Sequence, residues 1–342
     1  MNLSREQCTI LKGLAIILIM LHNFVDNLLV INCNEMSFIQ ENTDIFLNGL
    51  TTNKFIWYIL SYAGWIGVPV FLFLSGYGLT KKYNSVAQFN TFTYLKNHLV
   101  KLLKLLLPVY ALYVFFDWFI FHNPNDVKSV LAHATLTINL LHYGREGAFR
   151  LEPGVYWFFG AIMQFYILFI FIRKLSIKWL SCLAIVFIII HYTLLYSASI
   201  DFMEWCRHNF IGWGFPFVLG IIAAKSSRDI PAQLILPTCI GSFIVLCVSL
   251  VIKPISPLVE PSSIAVLICI SNACRYRWVY WVGAISASIY VIHPFIRLLY
   301  VNKFATMNYP LAMTIIYVIP VILISWIHHR LLNHSFIRLN KS

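Results

Sequence analysis

Between residues 10 and 327 the chain runs through about ten apolar stretches, each near the length that crosses a bilayer. This constrains the fold before any single residue is considered. Hydrocarbon offers no water to a bare N–H or C=O, so each stretch must satisfy its own backbone as a helix. Spans are expected near residues 10–31, 55–80, 105–121, 154–172, 179–198, 209–224, 232–252, 257–273, 279–300 and 309–327. Of the 342 residues 60% are hydrophobic and 11% charged, against about 25% charged in soluble domains. The expected fold is all-α: a polytopic membrane protein of about ten transmembrane helices. No repeat of solenoid length is visible.

A net charge of +12 is also what a nucleic-acid binder carries, but its distribution argues for a membrane and against nucleic acid. With ten spans and both termini cytoplasmic, 17 of the 25 Lys and Arg residues fall on the cytoplasmic side, among them Lys12, Lys81, Lys82, Lys96, Lys101 and Lys104. Of the 13 acids, only Glu6 and Asp229 fall there. That is the positive-inside bias, repeated at almost every loop. The N-terminus does not read as a cleaved signal, because the run after Lys12 has no small-residue cleavage site. Ser4-Arg5-Glu6-Gln7 has the spacing of a helix N-terminal capping box.

Polar residues inside apolar runs cost free energy, so they point to function. His22 stands in the middle of the first run, with Asp26 four residues on and therefore on the same helix face. An imidazole takes and returns a proton near neutral pH, and a carboxylate beside it would orient the ring and stabilise its charged form. His191, in the fifth expected span, has no ionisable neighbour in sequence and reads as structural. Asp117 and Glu260 also fall in expected spans, and each needs a partner. The run Gly64-Trp65-Ile66-Gly67-Val68-Pro69 suits either close helix packing or local unwinding. Residues 93–104 form a basic amphipathic segment, which fits anionic lipid headgroups or the phosphates of a soluble cofactor. Residues 129–143, with His133 and His142, read as a re-entrant or surface-lying helix. Arg145, Glu146, Arg150 and Glu152 follow in an outward loop. The eight cysteines have no CxxC or zinc spacing, so no metal is expected. Cys33 and Cys206 both fall in outer loops, where an oxidising compartment could join them.

Several of these residues together resemble a family. Lys12-Gly13-Leu14-Ala15-Ile16 followed by His22 is similar to the opening of the acyltransferase 3 family of integral membrane O-acyltransferases. Gly67-Val68-Pro69-Val70-Phe71-Leu72-Phe73-Leu74-Ser75-Gly76-Tyr77 resembles its second-helix signature. Lys101-Leu102-Leu103-Lys104 is similar to its basic-x-x-basic segment, with lysines where arginines are usual. Tyr156-Trp157-Phe158 and Gln164-Phe165-Tyr166 look like its aromatic helix, and Ser288-Ile289-Tyr290-Val291-Ile292-His293-Pro294 like its late Ser-x-Tyr-x-x-His element.

The resemblance implies a single membrane acyltransferase domain over residues 1–342, which takes an acyl group, acetyl by default, from cytoplasmic acyl-CoA. It implies a hydroxyl of a cell-surface or lipid-linked carbohydrate as acceptor, with no cofactor bound permanently. The place implied is the cell membrane, the inner one in a bacterium. Carried over, His22 is the base with Asp26 behind it, and Lys12, Lys101 and Lys104 hold coenzyme phosphates. Asn23, Ser75, Tyr290 and His293 are further residues expected at the substrate. His22 lies about 15 Å above Lys12 along a helix axis, within the reach of an extended pantetheine arm. The alternative reading is a transporter or flippase for a glycan or small solute, which also uses buried polar groups and Gly/Pro-interrupted helices.

Overall fold

The computed structural model describes residues 2–29, 33–86, 88–122, 126–141, 154–226, 231–304 and 309–339. Among them every regular element is helical. In chain order these are α1 (Arg5–Leu29), α2 (Gln40–Leu50), α3 (Phe55–Ala63), α4 (Gly67–Tyr83), α5 (Thr91–Phe115), α6 (Val127–Ala134), α7 (Ile138–Leu141) and α8 (Trp157–Ile172). The chain continues with α9 (Ile177–Ser197), α10 (Ile200–Arg207), α11 (Phe210–Lys225), α12 (Ala232–Val251), α13 (Val259–Ala273), α14 (Arg277–Ala284), α15 (Ser286–Phe304) and α16 (Pro310–Leu339).

Every expected span corresponds to a helix. Among the described residues eight helical segments are long and apolar enough to cross a membrane, or nine if the bent pair counts as one span, so the molecule is an integral membrane protein. The expected ten is reached only with two helices that depart from a simple span. The ninth expected segment is broken, because α14 and α15 meet at 76°. The sixth, α11, has 16 residues and passes through non-helical angles at Trp213.

Local chemistry sets the helix ends. The capping box closes α1: the Gln7 N–H donates to Ser4 Oγ at 3.1 Å, and the Ser4 N–H donates to Gln7 Oε1 at 2.7 Å. Gly64–Ile66 form a turn of 3₁₀ helix between α3 and α4, so the Gly/Pro-rich run leaves α geometry there by tightening, not by unwinding. It packs closely as well. A Cβ on Gly76 of α4 would strike the Phe217 carbonyl of α11, and one on Gly220 of α11 would strike the Phe73 carbonyl of α4. Small residues on both partners let the two backbones touch, which is how helices gain contact where lipid removes the hydrophobic drive. At the periphery, α12 turns Leu236, Ile240, Phe243 and Ile244 outward, and α16 turns out Leu311, Ile319 and Leu323. Such faces suit hydrocarbon.

The stretch expected as one re-entrant or surface-lying helix is, among the described residues, two short ones, α6 and α7. They are separated by Leu136 at φ +62°, a left-handed angle that a bulky side chain rarely adopts. His142, Arg145, Glu146, Arg150 and Glu152 lie outside the described residues. His191 and Glu260, each without a sequence neighbour of opposite charge, are each other's partner: Nδ1 lies 3.4 Å from the carboxylate, both side chains buried. Cys33 and Cys206 are free thiols.

Gly220→Val should drive the α4–α11 backbones apart at a cost of about 1–3 kcal/mol. The measurement is a clear drop in the thermal midpoint of the purified protein. Gly78→Ala, on α4 two residues after Gly76 but with nothing near its missing Cβ, should leave the midpoint unchanged or raise it.

Candidate active site

His22 is buried on α1, and α3 fixes its ring. Ser61 belongs to the last turn of α3, where carbonyls lose their regular helical partners. His22 Nδ1 lies 2.6 Å from the Ser61 carbonyl oxygen. A carbonyl can only accept, so Nδ1 carries a proton and donates it, and in the neutral ring Nε2 is the nitrogen with the lone pair. The close approach depends on Gly64, whose Cβ would come within 2.6 Å of the His22 Cβ. Asp26 shares the face with His22, as the spacing requires, but its carboxylate accepts from Ser61 Oγ at 3.1 Å. Ser61 therefore ties both groups, the ring through its backbone and the carboxylate through its side chain.

Nε2 faces Cys33 Sγ at 3.9 Å and Glu35 Oε1 at 4.0 Å. Both stand on the irregular segment between α1 and α2, which Asn34 pins. The Asn34 amide donates to the Tyr62 hydroxyl at 2.9 Å, and its oxygen accepts from the Ile39 N–H at 3.0 Å and from Asn42 Nδ2 at 3.1 Å. Arg207, at the end of α10, bridges Glu35 and Glu204, reaching Glu204 at 2.7 and 2.9 Å. Burial works against its charge, yet the two carboxylates outweigh that and hold the guanidinium above its ordinary pKa. Burial, followed by the Glu35 and Asp26 charges, pushes the Cys33 thiol well above its usual value. At neutral pH it is a protonated thiol and a weak nucleophile. Burial alone raises Cys206 to about 11.

These groups line a cavity of about 590 Å³. Its wall includes His22, Asn23, Asp26, Cys33, Glu35, Trp65, Trp157, Asp201, Glu204, Arg207, Tyr290 and Arg297. Carboxylates outnumber guanidiniums there four to two. Arg297, on α15, donates to the Asn23 carbonyl at 3.0 Å. Tyr290 donates to the Val155 carbonyl, and Tyr156 donates back to the Val291 carbonyl at 3.0 Å, clasping the start of α8 to α15. The Trp65 indole N–H is buried in this wall and has no hydrogen-bond acceptor among the described residues.

The structure thus gathers His22, Asp26, Asn23 and Tyr290 around one space. Ser75 is elsewhere: its hydroxyl donates to the Phe71 carbonyl of its own helix at 2.9 Å, and it does not line the cavity. His293 is fully buried behind Tyr290, its Nδ1 on the Ile289 carbonyl at 3.1 Å, and it does not reach the cavity wall. Lys12 and Lys101 form a second centre. Lys101 feels the charges of Lys12 and Lys82, and His98 those of Lys82 and Lys101. Lys104 follows Lys101 by one turn of α5. None of the three expected lysines lines the His22 cavity, whose wall on α1 ends at Ile19.

The family model described as an acyltransferase domain, acyltransferase 3, matches residues 7–330. The chain belongs to that family. Curated proteins and solved structures give no match. In this membrane acyltransferase, sequence reasoning passed over Ser61, Cys33, Glu35, Arg207, Arg297 and Trp65. Arg297 carried a usable signal, being a charged residue inside an expected span, the same mark that singled out His22. Glu35, in a loop, and Arg207, at the end of α10, lie 172 residues apart and carried none.

Arg207→Gln leaves two partly buried carboxylates without their counter-charge. It should cost about 3–5 kcal/mol, read as a lowered thermal midpoint. Glu35→Gln added to it should recover part of the loss, because one uncompensated charge is then gone.

Proposed function

We propose that this protein is an O-acyltransferase that moves an acyl group, acetyl by default, from cytoplasmic acyl-CoA to a hydroxyl of a cell-surface or lipid-linked carbohydrate. On this reading both termini and the Lys12–Lys101 cluster face the cytoplasm, and the His22 cavity takes the acceptor from the other side of the membrane. The observation that carries it is the state of the His22 ring. Its Nδ1–H is committed to the Ser61 carbonyl, which leaves Nε2 as a base toward the cavity.

The lysines hold the coenzyme phosphates as point charges, and lipid keeps that charged end from crossing. Only the thin pantetheine arm approaches His22. Nε2 removes the proton of the acceptor hydroxyl while the oxygen attacks the thioester carbon. The tetrahedral intermediate then collapses, the C–S bond breaks, and the coenzyme thiolate takes the proton back from the imidazolium. Asp26 stabilises that imidazolium. The negative oxygen of the intermediate needs donors, and the Trp65 indole N–H, buried in the wall without an acceptor among the described residues, is the donor this reading assigns to it. Asn23, Tyr290 and Arg297 shape the acceptor side. The protonated Cys33 argues for direct transfer over an acyl-cysteine relay.

His22→Gln should fold, insert and lose turnover by at least about 100- to 10,000-fold. The assay supplies labelled acetyl-CoA and an acceptor glycan to protein in nanodiscs. Wild-type turnover in that variant removes the base role. Thioester left intact by the wild type, with the glycan moved instead, favours a transporter.

Trp65→Phe and Lys101→Ala should separate the remaining roles. The first should lower kcat by about 10- to 1,000-fold with KM for the donor little changed. The second should raise the donor KM and leave kcat near wild type.

A further inference from the structure

His22 Nε2, Cys33 Sγ and Glu35 Oε1 lie within 4.8 Å of one another. They come from helix and loop, and their spacing in sequence carries no metal signature. Around tetrahedral zinc, nitrogen and oxygen ligands sit at about 2.0–2.2 Å and sulfur at about 2.3 Å, which sets neighbouring ligand atoms about 3.3–3.6 Å apart. The ring nitrogen is 3.9 Å from the sulfur and 4.0 Å from the oxygen. Each is about half an ångström beyond ligand spacing from the ring, and Cys33 Sγ and Glu35 Oε1, within 4.8 Å of each other, must close by up to about 1.3 Å in the segment that bears them to share one ion.

The surroundings fit a metal site. A histidine that binds metal through one nitrogen ordinarily donates its other N–H to a carbonyl or carboxylate. Here Nδ1 already does so, to Ser61. The second Glu35 oxygen is held by Arg207, which orients the first. All three residues line the cavity, where carboxylates outnumber guanidiniums and a cation is drawn in. A mixed nitrogen, sulfur and oxygen set suits zinc over magnesium or calcium.

We propose that His22, Cys33 and Glu35 form a site for a zinc-class divalent cation, and that a cation bound there switches off acyl transfer. On binding, the Cys33 thiol releases its proton to solvent as the metal–sulfur bond forms. The Nε2 lone pair becomes a metal ligand and no longer accepts the acceptor's proton. The inhibition rests on the acyltransferase reading given above; the binding does not.

The test uses full-length protein in nanodiscs with its cysteines reduced, and Co²⁺ as an optical probe. The wild type should develop a thiolate-to-cobalt charge-transfer band at one equivalent, and Zn²⁺ should bleach it. Cys33→Ser should lack the band. A wild type without the band, or the same band in Cys33→Ser, overturns the site. Should that variant fail to fold, alkylation of wild-type Cys33 followed by mass spectrometry decides: Zn²⁺ must slow it, and an unchanged rate overturns the site. In the transfer assay Zn²⁺ should stop wild-type turnover and a chelator should restore it. The half-inhibitory concentration should rise at least about tenfold in Cys33→Ser. The band without any transfer, metal present or removed, sinks the acyltransferase reading and leaves the site. Transfer indifferent to Zn²⁺, with no band, sinks the site and leaves the reaction.

Discussion

A carbonyl at the end of a broken helix holds this site together. Where α3 ends at Ala63 and the chain tightens into 3₁₀ geometry, the last carbonyls of α3 need partners from outside the helix. In the membrane interior a bare one would cost several kcal/mol. The His22 N–H meets that need at Ser61. The same bond sets the tautomer of the ring, joins α1 to α3, and depends on Gly64 to let the two backbones approach. Fold and chemistry share one interaction, and a change that relieves the break in the second span would also free the ring.

Three other buried histidines, His133, His191 and His293, sharpen the contrast; His208, also buried, shares the cavity wall with His22. His133 and His293 each place Nδ1 on the carbonyl four residues back in their own helix, a local bond that asks nothing of the tertiary fold. His191 meets Glu260 in a sealed pair. His22 is held by a different helix on one side and faces a cavity on the other. That asymmetry is what a base requires: a fixed ring with one open lone pair. The nearby charges follow the cost of burying ions. Glu35 and Glu204 share Arg207, and Arg297 uses the Asn23 carbonyl.

Span positions were legible in the sequence because hydrocarbon enforces length and apolarity together. The capping box at Ser4 and Gln7, the close packing of the Gly-rich second span, and the common face of His22 and Asp26 were legible because each is a short-range rule. What the sequence hid is long-range or geometric. The 76° break between α14 and α15 interrupts a run whose hydropathy is continuous. Ser61, as ligand of the ring, is a backbone atom that any residue type would supply. Cys33 and Glu35 reach His22 only because Asn34 gathers their loop, and Arg207 arrives from far down the chain. Ser75 sits in a family-like motif, yet its hydroxyl turns back onto its own helix. A motif identifies a helix more securely than it identifies a working side chain.

The two centres do not meet. The cavity wall on α1 ends at Ile19, and Ala15 and Ile16, between it and Lys12, are fully buried. For the proposed reaction this closure is an asset. A wet path joining the lysines to His22 would leak protons and ions, and would bring water to a thioester that water can hydrolyse. A transferase needs only the thin end of its donor to part the helices, for one turnover, while the phosphates stay at the lysines. The tight stretch between the centres then acts as a seal that the pantetheine arm opens and refills. On the proposed reaction, water would then meet the acceptor hydroxyl only in the cavity, beside His22.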